Sequence, residues 1–412
     1  MQETIKALSW EELSTFVCEE PDIVNGANNP YSLIRLFGKK PEELRITLFR
    51  DNHAWCPYCQ KVWLWLESKE IPYQVKKVTM HCYGNKEHWY LKKVPSGMLP
   101  ALELDKKVIT ESDQILLELE SSFGNLGLPL EDPQILNLRR LERKIFRSWC
   151  IWLCNPSFNQ IQELKRQSQF QSATQELDDH LSKTKNNWID PSLPQWNGDR
   201  LASIDIIFIP YLERMNASLA YYKGFNLREK FPNINKWFNS LEALEVYRAT
   251  QGDFHTHSHD LPPQMGGCWS NKSSTQKKYS QQIDIGTGLG LQETSFIEAN
   301  QNTAQSIALS RVFKHKQRIM NVNPLEESLF EQSLRAALTK MITGKTCIPK
   351  KGTAIGLRYL KDRISVPRDM PLLSAREFRR ALEETAKIDS ETQGPPIPLK
   401  NRLDQNPVPF KS

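Results

Sequence analysis

Two cysteines separated by two residues, Cys56-Pro57-Tyr58-Cys59, are the part of this sequence with the most chemistry in it. They follow the apolar run Ile46 to Phe49, which reads as a strand, and open a stretch with helical spacing from Pro57 to Ser68. A cysteine at a helix N-terminus meets orphan backbone N–H groups and the positive end of the macrodipole, both of which favour its thiolate. Cys56 is therefore the candidate nucleophile. Pro57 suits the first helical position, where a missing N–H costs nothing. Cys59 follows one turn later on the same side, where it can resolve a mixed disulfide formed at Cys56. No second cysteine pair of ligand type accompanies the first, so a zinc site is not expected.

Other patterns carry less. His255, His257 and His259 alternate and would share one face of an extended chain, but their surroundings read as a linker, so a solvated stretch is expected rather than a metal site. Ile283 to Gly290 imitates the first motif of a nucleotide site without the strand it needs before it. Cys150 and Cys154 lie one turn apart among Trp149 and Trp152 and are expected in the core or the acceptor cleft. Arg311, Lys314, Lys316 and Arg318, and again Arg376, Arg379 and Arg380, are spaced as on basic helix faces.

The elements that position the cysteines follow from periodicity. A capping box, Ser9 to Glu12, opens a short helix. From residue 45 the order is strand, helix, strand (Tyr73 to Val78), helix (Glu87 to Lys93), two short strands (Ala101 to Leu104, Val108 to Ile109), and a helix from Glu111. After Pro133 the pattern becomes long helices: Gln134 to Trp152, Phe158 to Lys185, Ile204 to Tyr222 and Asn233 to Tyr247. Few large apolar residues occur between 251 and 302, which predicts a flexible linker. Helical periodicity returns at Leu325 to Ile342, Ala354 to Leu360 and Ser374 to Lys387, before the proline-rich Pro395 to Pro398. The division expected is an N-terminal extension (1–44), an α/β domain (45–125), an all-α domain (131–250), the linker (251–302) and a basic helical extension (303–412).

The chain has 412 residues, 39% of them hydrophobic and 25% charged, with a net charge of +6. Residues 303 to 388 hold 17 Lys and Arg against 8 Asp and Glu, so the basicity lies in the extension. No window is long and apolar enough to span a bilayer, and the first thirty residues lack the layout of a signal peptide. Eight cysteines are too sparse for a disulfide framework. A reducing, cytoplasmic setting is expected.

Asp51 to Ile71 resembles the active-site segment of glutaredoxins. The α/β unit followed by an all-α domain is similar to the glutathione transferase superfamily, most of all its cysteine-type classes: omega, lambda and dehydroascorbate reductase. Pro95-Ser96-Gly97-Met98-Leu99-Pro100 matches that family's stretch with a cis proline, which makes Pro100 the cis residue and Leu99 the backbone partner of the cysteinyl part of glutathione. Glu111-Ser112 matches the acidic-Ser pair that holds the γ-glutamyl end, and Lys86 stands where omega-type members hold the glycyl carboxylate. One departure is Ala202 in place of a hydroxyl cap before Ile204.

The resemblance implies a thioredoxin-like α/β domain and an all-α bundle, with glutathione as co-substrate and no metal. It implies thiol transfer or disulfide reduction through Cys56, with Cys59 or glutathione as resolving thiol. The acceptor pocket is expected at Trp55, Tyr58 and Trp152. The expected partners are glutathione and an electrophilic or disulfide substrate, a second copy in a homodimer, and an anionic membrane or a protein at the basic extension; nucleic acid is not expected. Two alternatives stand beside this: a non-catalytic adaptor docking through the basic extension, and an iron-sulfur cluster held at the dithiol with glutathione.

Overall fold

A computed structural model describes residues 4–18, 32–184, 187–192, 201–286, 288–289 and 294–391. The proline-rich Pro395 to Pro398 lies outside them. The strands are β1 (Thr4–Ile5), β2 (Ile34–Arg35), β3 (Ile46–Asp51), β4 (Tyr73–Val78), β5 (Ala101–Leu104), β6 (Lys107–Thr110) and β7 (Thr346–Cys347). The helices of the first half are α1 (Trp10–Ser14), α2 (Pro57–Lys69), α3 (His88–Lys93), α4 (Ser112–Phe123), α5 (Pro133–Cys154), α6 (Gln160–Lys183) and α7 (Ser203–Lys223). Then follow α8 (Leu227–Lys230), α9 (Pro232–Ala243), α10 (Glu245–Thr250), α11 (Phe254–Met265) and α12 (Ser274–Asp284). The last are α13 (Thr294–Val322), α14 (Glu327–Thr343), α15 (Ala354–Arg363) and α16 (Leu372–Asp389). The chain divides into two compact units, residues 21–280 and residues 1–20 with 281–412.

The first unit is built around a five-stranded sheet in the order β2-β4-β3-β5-β6. β3 runs parallel to β4 and antiparallel to β5, and all six of its residues are buried. Such a central strand is covered on both faces, and even its polar residues Thr47, Arg50 and Asp51 are buried. α2 supplies one cover and is itself buried from Cys59 to Ser68, so the cysteines sit at the end of the most enclosed helix of the α/β domain. Trp65 donates from Nε1 to Ser203 Oγ at 3.2 Å, and Ser203 donates to Glu120 at 2.7 Å, locking α2, α4 and α7 together. The arrangement is a thioredoxin-like α/β domain followed by an all-α domain, with more helices beyond it.

Ala202 does cap α7 without a side-chain bond. The buried Asp205 in its first turn instead ties α7 to its neighbours, accepting from Ile189 N–H at 2.9 Å and Trp237 Nε1 at 2.7 Å. Burial pushes this carboxyl up to about 7, against the pull of those donors.

The flexible linker expected at 251–302 is corrected. α11 opens there with Asp253 as its cap, and His255, His257 and Asp260 are buried. Trp269 N–H bonds Leu153 O at 2.9 Å, and Gln276 Nε2 bonds Tyr221 O at 2.7 Å, so the segment to Gln276 is held by polar contacts. A count of apolar residues misses packing of this kind. The alternating imidazoles lie on a helix rather than a strand, so they do not share one face; His255 and His259 stack at 4.4 Å while His257 points at Glu213, 3.4 Å away.

The second unit packs α13 to α16 around Phe330, Leu334, Leu338, Phe378 and Leu382. The N-terminal segment belongs to it: β1 pairs in parallel with β7, and Leu13 is fully buried in the same core. The extension expected at 1–44 is therefore split, since β2 joins the sheet of the first unit instead. The basic face expected at Arg376, Arg379 and Arg380 is also corrected. Arg379 is buried and donates to Ile364 O, and Arg380 pairs with Glu377. Arg358 and Lys361 share the buried carboxylate of Glu383 at 3.0 and 2.8 Å.

Leu13→Ala should therefore weaken the second unit by about 2–5 kcal/mol, the usual cost of emptying a buried leucine site. Amide exchange in α14 and α16 should accelerate while β3 and α2 stay protected; unchanged exchange in α14 and α16 would mean that residues 4–18 are not part of that core.

Candidate functional site

The loop from Asn52 to Trp55 turns the chain from β3 into α2, with Ala54 at φ 55°. Asp51, at the end of β3, accepts the Trp55 N–H at 2.7 Å. Asn52 N–H bonds Val78 O at 3.0 Å, and the His53 ring lies 4.0 Å from that of Tyr83. From below, the buried Arg214 of α7 donates to the Trp55 carbonyl and, at 3.0 Å, to Gln60 Oε1. Its guanidinium lies 4.7 Å from the Trp55 ring. Gln60 in turn donates to Glu213 at 3.0 Å, and Glu213 faces His257 of α11. Burial, aided by Arg214, lowers the His257 pKa and favours its neutral form.

Cys56 caps α2 and Pro57 is its first residue. Both cysteines are free, with Cys56 6% and Cys59 1% exposed. Burial pushes the Cys59 thiol well up, and its hydrogen bond to Cys56 pushes it further. Both effects disfavour a thiolate at Cys59. An Asp51 carboxylate oxygen and both sulfurs lie within 4.8 Å of one another. Asp51 Oδ1 is buried and unbonded, the Oδ2 being taken by Trp55. That leaves a base beside a dithiol, and these three side chains are also the donors that could hold a metal ion here.

Leu99-Pro100 is a cis bond, as the resemblance implies. Leu99 and Pro100 line a cleft of about 1130 Å³, with Tyr58, Glu111 and Ser112 at the same end. Glu111 precedes α4 at φ 65° and ψ 114°, a backbone that costs on the order of 1–3 kcal/mol for a residue with a Cβ. Strain of that size at a cleft is held by its surroundings, and here it sets Glu111 beside Ser112 at the α4 N-terminus. Lys61 enters the cleft from α2 and bonds Asp113 at 2.8 Å, while Arg139 bonds the other Asp113 oxygen at 2.9 Å. Burial raises the Asp113 carboxyl, but these two cations outweigh it and hold it below the usual range. Tyr58, 39% exposed, meets Tyr211 edge-on at 6.0 Å.

Of the residues named from sequence, the cleft gathers Tyr58, Leu99, Pro100, Glu111 and Ser112. Two of the expected pocket residues are elsewhere. Trp55 is 3% exposed, held over Arg214. Trp152 is 1% exposed and packs on Phe170 and Phe225 inside the bundle, with its Nε1 on Glu163. Lys86 does not line this cleft; its Nζ donates to Thr79 O at 3.0 Å. Asp51, Arg214 and the α5 arginines went unread. An arginine inside the apolar run Ile204 to Leu219 was the available signal for Arg214.

Residues 55–122 match the glutathione S-transferase N-terminal domain, and residues 152–249 the C-terminal domain. Among curated relatives, glutathione S-transferase DHAR3 of Arabidopsis thaliana is 28% identical over 48% of this chain and 69% of its own length. Glutathione S-transferase L3 of the same plant is 25% identical over 48% and 79%. A dehydroascorbate reductase structure from Chlamydomonas reinhardtii aligns at 20% identity and TM-score 0.41, covering 50% of this chain and 92% of the other. Residues 55–122 and 152–249 thus match the two domains of the glutathione S-transferase superfamily, in order.

Proposed function

We propose that the protein is a glutathione-dependent thiol-transfer enzyme that reduces disulfides or kindred electrophiles through Cys56. The observation that carries this reading is the asymmetric placement of the dithiol: Cys56 caps α2 at the strand-to-helix junction, and the more deeply buried Cys59 follows one turn inside the helix. The Cys56 thiolate attacks one sulfur of the acceptor, the acceptor S–S bond breaks, and the departing thiolate takes a proton from solvent. Glutathione then attacks the acceptor sulfur of the mixed disulfide, releasing the Cys56 thiolate and a glutathione–acceptor disulfide, which a second glutathione reduces to the acceptor thiol and glutathione disulfide. Alternatively Cys59 attacks after passing its proton to Asp51, giving a Cys56–Cys59 disulfide that two glutathiones reduce. Leu99, Glu111 and Ser112 are the residues proposed to hold glutathione, by backbone pairing, by the γ-glutamyl ammonium and by its carboxylate. The names of the relatives, transferases and a dehydroascorbate reductase, favour the same chemistry.

An activity panel with glutathione on hydroxyethyl disulfide, dehydroascorbate and an aryl halide tests the reading; Cys56-dependent turnover is expected on the first two. Cys56→Ser should abolish thiol exchange, whereas Cys59→Ser should keep a monothiol cycle with glutathione. If neither variant loses activity, the proposal fails. Alkylation of the native protein followed by peptide mapping should leave Cys59 unlabelled at pH values near 8.5, where an ordinary free thiol is about half ionised. Labelling of Cys59 in step with exposed cysteines would contradict the buried thiol. Ser112→Ala should weaken glutathione binding by about 1.5–3 kcal/mol, the worth of a hydrogen bond to a charged group; a calorimetric titration with unchanged affinity would remove Ser112 from the site.

A further inference from the structure

The cleft beside Leu99 and Pro100 has one wall of a single character. Along α5, Leu136, Arg140, Arg143, Arg147 and Ile151 follow one another at intervals of three or four residues, so they form one stripe, and all five line the cleft. Arg139, Lys144 and, from α2, Lys61 add to it, making six cations against the three carboxylates Glu111, Asp113 and Glu142. Two of those carboxylates are already engaged. Asp113 holds Lys61 and Arg139, and Glu142, nearly buried, holds Arg143. Lys144 is paired with Glu176 of α6. Among the described residues, Arg140 bonds only the neutral Asn137, and the exposed Arg147 pairs with no carboxylate. The facing side offered by α6, Ser168, Gln169, Ser172 and Ala173, is uncharged.

A stripe of this kind on a helix is ordinarily a solvated face. Here it lines one wall of a half-open cleft of about 1130 Å³. That is just above the roughly 300–1,000 Å³ of small-molecule sites, enough for two reactants side by side. Leu136 and Ile151, 37% and 41% exposed, and the Tyr58 ring give it apolar ground between the charges. A concave surface lined by one sign of charge concentrates ligands of the other sign.

We infer that this cleft selects anionic acceptors: disulfides or electrophiles with an apolar body and one or two carboxylate, sulfonate or phosphate groups, held along α5 by Arg140 and Arg147. The inference rests on the thiol-transfer reading and names the substrate class of that same site. The acceptor enters between the α5 stripe and Tyr58, with its reacting sulfur toward the Leu99 end. Net chemistry is unchanged, one disulfide and two glutathiones giving two thiols and glutathione disulfide.

The test compares three disulfides of similar size at saturating glutathione: the dianion of 3-mercaptopropionate disulfide, neutral hydroxyethyl disulfide, and the dication cystamine. With the uncatalysed rates subtracted, kcat/KM for the dianion should exceed that for the dication at least about tenfold at low salt, the lower end of electrostatic steering. The ratio should shrink as ionic strength passes 0.1 M, where screening reaches about 10 Å. In the double variant Arg140→Gln/Arg147→Gln the ratio should fall toward one. Because both side chains are exposed, the fold is not at stake. Turnover of hydroxyethyl disulfide with no preference among the charged pair overturns this inference alone. A preference that survives the double variant assigns selection to another part of the molecule and also overturns it. Absence of Cys56-dependent turnover on all three removes the thiol-transfer reading beneath it.

Discussion

A buried guanidinium fixes the geometry on which the site depends. Arg214 lies in α7, well inside the all-α domain, yet its donors reach the Trp55 carbonyl and Gln60 on either side of the cysteine pair. A charge removed from water must be satisfied by its surroundings, and removing one partner from such a pair is worth several kcal/mol. The last residue before Cys56 is therefore held to the second domain by an interaction that neither side can release cheaply. The same guanidinium neighbours Glu213, which Gln60 and His257 also contact. Helix α11, which follows the matched family domains, thus reaches the underside of the cysteine loop through a chain of named polar contacts.

That rigidity lets two chemically identical side chains behave differently. Cys56 stands before the first turn of α2, where backbone N–H groups are unpaired, while Cys59 is inside it, at 1% exposure. Desolvation penalises a charge on Cys59. Asp51 adds a carboxylate within 4.8 Å, already anchored through one oxygen to the Trp55 N–H. The two cysteines are therefore distinguished by depth along a strand-to-helix junction rather than by residue type.

The junction itself was legible in the sequence because it is local: a strand run, a cysteine and a proline at the first helical position. So were the helices of the bundle, where Gln134 to Trp152 became α5 and Ile204 to Tyr222 became α7 with ends moved by one or two residues. What was not legible depends on partners far away in sequence. β1 is recognisable only beside β7, more than 300 residues later. Trp152 had the right type and spacing for a pocket wall, but a helix has two faces, and Phe170 and Phe225 claim this one. Residues 251–276 read as a linker because their packing uses imidazoles, amides and backbone carbonyls instead of aliphatic surface.

Charge shows the same difference between composition and arrangement. The extension carries the larger formal excess, 17 cations against 8 anions over residues 303 to 388, and invites a reading as an anionic docking surface. Three of those cations are turned inward, where Arg358 and Lys361 share Glu383 and Arg379 bonds a backbone carbonyl. Such cations contribute to specificity of packing and little to the field outside. The cleft holds only six, but they converge from α5 and α2 on one concavity, and among the described residues Arg140 and Arg147 pair with no carboxylate. Coulomb attraction falls with distance and is screened within about 10 Å at moderate salt, so convergence within a cleft outweighs a larger number dispersed over a surface. The sign of a ligand is set by the charges that face it together, and in this chain those converge on the cleft between α5 and Tyr58.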